Sequence, residues 1–381
     1  ATVSEVLTNS TTAPIPVIYV YTITANGCNN SANVTVVVNP TPVLSSTLAP
    51  PSICSATAFI YNATSATAGA SFAWTRAAKA GIAEAASSGT GDVNETLTNT
   101  TPAAINVTYS YVTAANGCSN TPQNVVVTVN PTPVLSSTLT PLAICSSTTF
   151  NYNATSATAG TAFSWTRAAV AGITEIASLG AVASVSETLT NTTTAPINVI
   201  YVYTLLANGC TNNQKVTVTV NPTPVLSSLL TPPAICSGTI FSYTATSATA
   251  GATFAWTRAA VAGITEAGTG GTGNVSETLT NTTAAPINVI YVYTILASGC
   301  SNTQNVTVTV NPRPVLSSTL TPPAICRGST FSYKATSATG GTTPSWKRAA
   351  VPGITEIASS VAIAARRAIL THTTTAPIES F

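Results

Sequence analysis

Eight cysteines carry the most reactive side chains in this 381-residue chain. They recur as Cys54/Cys118, Cys145/Cys210 and Cys236/Cys300, 64 or 65 residues apart within each pair, with Cys28 and Cys326 outside the pairs. None belongs to a CxxC motif, so the ligand spacing of a zinc site is missing. Disulfides are the chemistry that fits, and with them an oxidising, extracellular setting.

A charged constellation recurs beside them. Only 6% of the residues are charged, against roughly 25% in ordinary soluble domains. Yet Arg76, Arg167 and Arg258 each stand two residues after Trp74, Trp165 and Trp256, as Arg348 does after Trp346. Glu84, Glu175, Glu266 and Glu356 follow each arginine by eight residues. Glu95, Glu187 and Glu277 sit on a later strand, with Glu5 as their counterpart near the start. Strand alternation puts Arg258 on the face of Phe254 and Trp256, and a partly buried arginine needs carboxylates to offset its desolvation. The expectation is a structural ion pair at the edge of the sandwich in each repeat, drawing on both glutamates; the competing reading is a ligand contact repeated along the chain.

Other chemistry is poorly supplied. His372 is the only histidine and Asp92 the only aspartate, which leaves no Ser-His-Asp or Cys-His site and no calcium loop. Gly268–Gly273 lacks the lysine and the helix of a phosphate loop and reads as a turn. No catalytic residue, metal ligand or cofactor is expected, and the chain does not read as an enzyme. The net charge of +2, with no cluster beyond Arg366-Arg367, makes nucleic acid an improbable partner. No run approaches the roughly 20 apolar residues of a spanning helix.

The elements that must position these residues are set by a repeat. Asn-Pro-x-Pro-Val-Leu-Ser-Ser begins at Asn39, Asn130, Asn221 and Asn311, at intervals of 91, 91 and 90 residues. A period of that size is a domain with its own core. Residues 1–39 are then the C-terminal half of a repeat, 40–130, 131–221 and 222–311 are whole repeats, and 312–381 are the N-terminal part of another. In the third whole repeat the punctuation predicts strands at Pro224–Leu229, Thr239–Thr246, Thr253–Arg258, Ile264–Glu266, Val275–Thr280, Ile287–Leu296 and Asn305–Val310. The Ala-rich stretch near Arg76–Ala86 reads as an irregular crossover. Alternation such as Val306, Val308 and Val310 with Thr307 and Thr309 is that of half-buried antiparallel strands. The fold class is all-β, tandem antiparallel β-sandwiches in a linear rod stiffened by the Asn-Pro-x-Pro joints, with Trp74, Trp165, Trp256 and Trp346 in the cores.

The cysteine before the second strand, the central tryptophan, the Tyr-x-Tyr-Thr strand, the Asn-Gly-Cys turn and the closing Val-Thr-Val-Asn-Pro together resemble PKD-like, immunoglobulin-type repeats. The strand reads Phe-Ala-Trp-Thr-Arg where PKD domains carry Trp-Asp-Phe-Gly-Asp-Gly. The resemblance implies immunoglobulin-like sandwiches of the kind that build secreted Bacteroidota surface proteins and adhesins, including those exported by the type IX system. In such a topology the two cysteines of one repeat lie at opposite ends, roughly 30 Å apart for strands of ten residues, whereas a disulfide needs Cα atoms within about 7 Å. Pairing within a repeat and pairing between neighbours (Cys54 to Cys210, Cys145 to Cys300) both stay open.

The implied role is a structural or adhesive part of an extracellular fibre; the alternatives are an array of carbohydrate- or surface-binding modules and the stalk of a larger secreted protein. Copies of the chain itself are the expected partners, head to tail and laterally, together with a surface or glycan target. Without methionine or a signal peptide, the sequence reads as the interior of a longer or processed product. Residues 1–39 and 312–381 are either a window cut from a longer array, the preferred reading, or halves that complete one another between copies by strand addition. Strand addition would give Cys28 and Cys326 partners, but it leaves two candidates, Val3–Ile15 and Arg366–Ile378, for one strand slot. Outward-facing Ile200, Val202, Ile290 and Val292 are expected under a loop of their own repeat; their other reading is a contact between chains.

Overall fold

The computed structural model describes residues 1–355, 357, 359–361 and 365–369. Contacts divide the chain into two compact units, Ala1–Thr190 with Asn198–Thr219, and Asn191–Ile197 with Val220–Phe381. Among the described residues there is no helix.

The first unit begins with a lone hairpin, β1 (Ile15–Ala25) and β2 (Cys28–Val38), in register from Ile15 opposite Val38 to Ala25 opposite Cys28. A complete repeat follows. Its strands are β3 (Ile53–Cys54), β4 (Thr57–Tyr61), β5 (Ser71–Arg76), β6 (Ser87–Thr90), β7 (Val93–Leu97), β8 (Ile105–Ala115), β9 (Cys118–Ser119) and β10 (Gln123–Asn130). The larger sheet runs β3-β10-β8-β5-β6 with β9 beside β8; the smaller is β4 against β7. Period-two alternation explains the two faces. Val107, Tyr109 and Tyr111 from β8 and Val125, Val127 and Val129 from β10 are at most 1% exposed. They meet Phe59, Tyr61, Val93 and Leu97 of the smaller sheet in one core. Phe59 lies 5.2 Å from Tyr109 by ring centroids, and Trp74 meets the same tyrosine edge-on at 5.5 Å. Asn116 and Gly117, at φ of +52° and +76°, form the tight turn that lets β8 pair with β9.

The next repeat has the same plan, with its larger sheet ordered from Ile144–Cys145 through Cys210–Asn221, Ile197–Ala207 and Ala162–Arg167 to Ser178–Gly180, and its smaller sheet made of Thr148–Asn153 and Ser184–Leu189. The second unit holds the third complete repeat, in which Ile235–Cys236, Cys300–Asn311, Ile287–Ala297, Thr253–Arg258 and Thr269–Thr272 form the larger sheet. Thr239–Tyr243 pairs with Val275–Leu279 in the smaller one. After it, Thr330–Lys334 pairs with Ala365–Ile369 and Trp346–Arg348 with Ser359–Val361.

The second and third complete repeats have the expected seven strands, and the first has eight because β9 and β10 are separate, but the strands' identities differ from the sequence reading. Pro224–Leu229 forms no strand, because Pro222 and Pro224 have no N–H for a ladder. The segment is tied down by individual bonds instead, among them Ser227 N–H to the Thr246 carbonyl at 2.8 Å and Leu226 N–H to Gln304 Oε1 at 2.6 Å. Ile264–Glu266 is reduced to one bridge, Ile264 opposite Asn281. The two-residue strand Ile235–Cys236, parallel to Val310–Asn311, was not foreseen. Gly268–Gly273 is not merely a turn: Thr269–Thr272 pairs with Ala255–Arg258. Its glycine is steric. A Cβ on Gly271 would stand 3.0 Å from the Trp256 ring, and one on Gly180 would stand 2.6 Å from Trp165. Trp74, Trp165 and Trp256 are 7–8% exposed, whereas Trp346 is half-buried. Ile200, Ile290 and Val292 are 41%, 44% and 39% exposed, so no loop of their own repeats covers them; Val202 is half-buried.

Candidate functional site

Two arrangements recur with the repeat, a joint where one sandwich meets the next and a buried Arg–Glu–Tyr cluster. The joint grows from the end of β10. There β3 lies parallel, with Cys54 opposite Asn130, so a cysteine and an asparagine share the exit of the repeat. The hairpin turn of the following repeat reaches the same place. Asn130 Nδ2 donates to the Asn208 carbonyl at 3.1 Å, and Cys54 is disulfide-bonded to Cys210 with Cα atoms 5.6 Å apart. The asparagine contact repeats as Asn39 to the Asn116 carbonyl at 2.8 Å and, in the second unit, as Asn221 to the Ser298 carbonyl at 3.0 Å. The proline run is held to its own hairpin by Asn212 Nδ2 to the Pro133 carbonyl at 2.9 Å and by Leu44 N–H to Gln123 Oε1 at 2.7 Å.

This geometry decides between the two connectivities for Cys54 and Cys210. Pairing within a repeat, Cys54 with Cys118 or Cys145 with Cys210, is excluded because Cys54 and Cys210 are bonded to each other. Cys145 and Cys300 are each engaged in a disulfide. Cys28, Cys118, Cys236 and Cys326 are free thiols, Cys118 half-buried and the others exposed.

The second arrangement lies between the sheets. Arg76, Arg167 and Arg258 come from the strand that also buries the tryptophan, and each is 2% exposed. Their Nε atoms meet Glu95, Glu187 and Glu277 at 2.9, 2.8 and 3.0 Å. The same carboxylates accept the hydroxyls of Tyr109, Tyr201 and Tyr291 at 2.6 Å each. The second guanidinium nitrogen donates to the carbonyls of Ala85, Ile176 and Ala267 at 2.6, 2.6 and 2.7 Å. Burial pushes Glu187 up, but donors from Ser178, Tyr201 and Arg167 outweigh it and hold the carboxyl below its ordinary value; Glu95 is lowered too. Burial first, and then the neighbouring carboxylate, pushes Tyr109, Tyr201 and Tyr291 well above the usual phenol range.

Glu84, Glu175 and Glu266 do not share this ion pair. Their carboxylates accept the backbone N–H of Thr98, Thr190 and Thr280 at 2.9 Å each, bracing the crossover to the following strand. A backbone donor was available at the right height, and satisfying it leaves the arginine to the other glutamate. Arg348 donates to the Ile357 carbonyl at 2.5 Å, while Glu356 and His372 lie outside the described residues. In the N-terminal segment the Tyr19 hydroxyl donates to Glu5.

The tyrosine member of the cluster was not foreseen from sequence, although the recurring Tyr-x-Tyr was its signal. The corner asparagines were missed as well. Asn281 Nδ2 bonds the Ala285 and Val310 carbonyls at 2.8 and 2.9 Å, Asn99 and Asn191 do the same in their repeats, and Asn9 bonds those of Ala13 and Val38. Chemically, the cluster is a structural network, and the joint is a thiol–disulfide site.

A family profile described as a PKD-like domain matches residues 51–133, 142–224 and 233–314. No curated protein matches the chain in sequence. Among solved structures it is similar to a three-Ig fragment of titin, at 11% identity over 71% of this chain and 98% of that one, with a TM-score of 0.35. Drosophila N-cadherin EC1-4 aligns at 8% identity over 79% and 84%, with a TM-score of 0.28. The N-terminal eight Ig domains of DSCAM align at 12% identity over 89% and 46%, with a TM-score of 0.34.

Proposed function

Since this chain belongs to the PKD-like domain family, we propose that it is a structural or adhesive segment of an extracellular fibre, exported to the cell surface. The observation that supports this most is the joint. A disulfide and an asparagine bond tie one sandwich to the next, an investment that serves fixed placement of repeats and no small-molecule chemistry. Copies join by strand addition. The hairpin of β1 and β2 leaves Val34 and Val36 51% and 41% exposed at positions whose counterparts, Val125 and Val127, are fully buried. Residues 312–369 hold the opposite set of strands, with Phe331, Tyr333 and Trp346 only half-buried. Each side offers the other its missing half-core, and edge strands with unpaired backbone favour such pairing.

The adhesive part of the reading draws on Ile200, Ile290 and Val292, apolar side chains exposed on outward sheet faces. Nothing comparable favours a carbohydrate-binding array, since Trp74, Trp165 and Trp256 are buried and offer no stacking platform. The test is to delete residues 1–39 and follow assembly by sedimentation and electron microscopy. Loss of fibres is the expected result. Fibres of unchanged length would overturn strand addition and leave the repeats to be joined only within longer polypeptides.

A further inference from the structure

The four free thiols fall into two classes. Cys28 and Cys118 stand at the hairpin turn of a repeat, as Cys210 does; Cys236 and Cys326 stand upstream of the second strand, as Cys54 does. The observed bond joins an upstream cysteine to the hairpin cysteine of the following repeat. Under that rule Cys28 and Cys118 each want an upstream cysteine from a preceding repeat, and Cys236 and Cys326 each want a hairpin cysteine from a following one.

Resting on the strand-addition reading, we propose that a junction between two copies carries two disulfides, Cys236 of one copy to Cys28 of the next and Cys326 of the first to Cys118 of the next. The surface that meets them is the N-terminal segment of a second copy. In complete repeats a glutamate stands opposite the phenylalanine of the smaller sheet, as Glu277 does opposite Phe241. In the last repeat Ala368 takes that place opposite Phe331. The N-terminal segment brings a replacement, because Glu5 is already bonded to Tyr19, the counterpart of Tyr291. Val3, Leu7 and Asn9 carry the same residue types, in the same order, as Val275, Leu279 and Asn281.

The register closes on both bonds at once. With Glu5 of the second copy in the place of Ala368, Cys236 and Cys28 stand 155 positions apart, and so do Cys326 and Cys118. Cys54 and Cys210 are separated by 156. In this junction Thr2–Val6 takes the slot that Ala365–Ile369 holds in the single chain, which resolves the competition of two segments for one strand. Cys28 and Cys326, by contrast, become the two cysteines of one completed repeat, the combination that the observed bond avoids.

Each bond forms by exchange with a low-molecular-weight disulfide. One protein thiolate displaces a thiol from it to give a mixed disulfide, and the second thiolate then displaces the other thiol. Two cysteines are oxidised, the reagent is reduced to two thiols, and the two protons from the cysteines end on them.

The experiment incubates the full chain with oxidised glutathione, alkylates the remaining thiols and maps disulfide peptides by mass spectrometry. A ladder of multiples of 38.4 kDa that collapses on reduction is expected, with Cys28–Cys236 and Cys118–Cys326 peptides confined to the multimers. Peptides joining Cys28 to Cys326, or Cys118 to Cys236, would overturn the assignment. The double variant C236S/C326S separates this inference from the reading beneath it. It should still sediment as assemblies while losing the ladder. Wild-type assemblies in which all four thiols remain alkylatable would remove the disulfides and keep strand addition; chains that stay single under every condition would remove both.

Discussion

At Arg258 a guanidinium 2% exposed is satisfied by one carboxylate and several carbonyls. Removing one partner of a buried pair costs about 3–5 kcal/mol, because the remaining charge is stranded. Glu277→Gln should therefore cost about 3 kcal/mol of the stability of its repeat by urea denaturation. Glu266→Gln should cost less than about 1 kcal/mol, since an amide oxygen still accepts the Thr280 N–H. Equal losses would place both glutamates in the ion pair. The titrating groups set both pH limits. Glu95, Glu187 and Glu266 have lowered folded values, so their stabilisation is complete above the ordinary 4.5 and is lost as pH falls below it through the folded values. Buried tyrosines act in the opposite direction. Tyr293, pushed up to about 12 by burial and then by Tyr243, stabilises fully below 10 and ceases to do so as pH rises through 12. Tyrosinate absorbance and circular dichroism should thus change together in alkaline titration; ionisation of these phenols well before unfolding would contradict their burial.

At the scale of the strand, the glycine facing each tryptophan is the least forgiving position. Gly180→Val places a Cβ 2.6 Å from the Trp165 ring, and overpacking of this kind costs about 1–3 kcal/mol. The expected readout is a red shift of tryptophan emission with a lower denaturation midpoint; unchanged emission would mean that the ring has room to move. These strands also show what sequence conveys. Where polar and apolar residues alternate, as along Ile287–Ala297, the pattern places the strand within one residue of its bounds. It fails where the strand has no apolar code, as at Thr269–Thr272, whose residues are selected for smallness against a ring that arrives from elsewhere in the chain. The Arg–Glu pairing was legible from spacing, because few charges compete for partners. Which of two glutamates wins was not, since that depends on a backbone N–H brought close only by folding.

At the scale of the whole molecule, each complete repeat has its own core, as the separate clusters around Tyr109 and Tyr291 illustrate. Reduction of Cys54–Cys210 should therefore leave far-ultraviolet circular dichroism and tryptophan emission unchanged. It should speed proteolysis at the Asn130-Pro131 joint, which keeps hydrogen bonds such as that to the Asn208 carbonyl but loses its covalent tie. Collapse of the spectrum on reduction would show that the sandwiches depend on the bridge. The repeat itself was the most legible feature of all, because a near-identical octapeptide at fixed intervals requires no knowledge of packing. The destination of each cysteine was less so. Spacing within a repeat suggested partners that the sandwich holds at opposite ends, and only the neighbour's hairpin brings the second sulfur within reach.

The Cys54–Cys210 bond has a mechanical consequence. A pull applied to the chain on either side of it passes through sulfur and bypasses the backbone between, a sequence separation of 156 residues. Unravelled, that stretch would release roughly 500 Å of slack at about 3.3–3.6 Å per residue. With the bond closed, the sandwiches it spans can open without lengthening the path that carries the load, and this stretch trades the extensibility of an ordinary domain string for the fixed length of a cable.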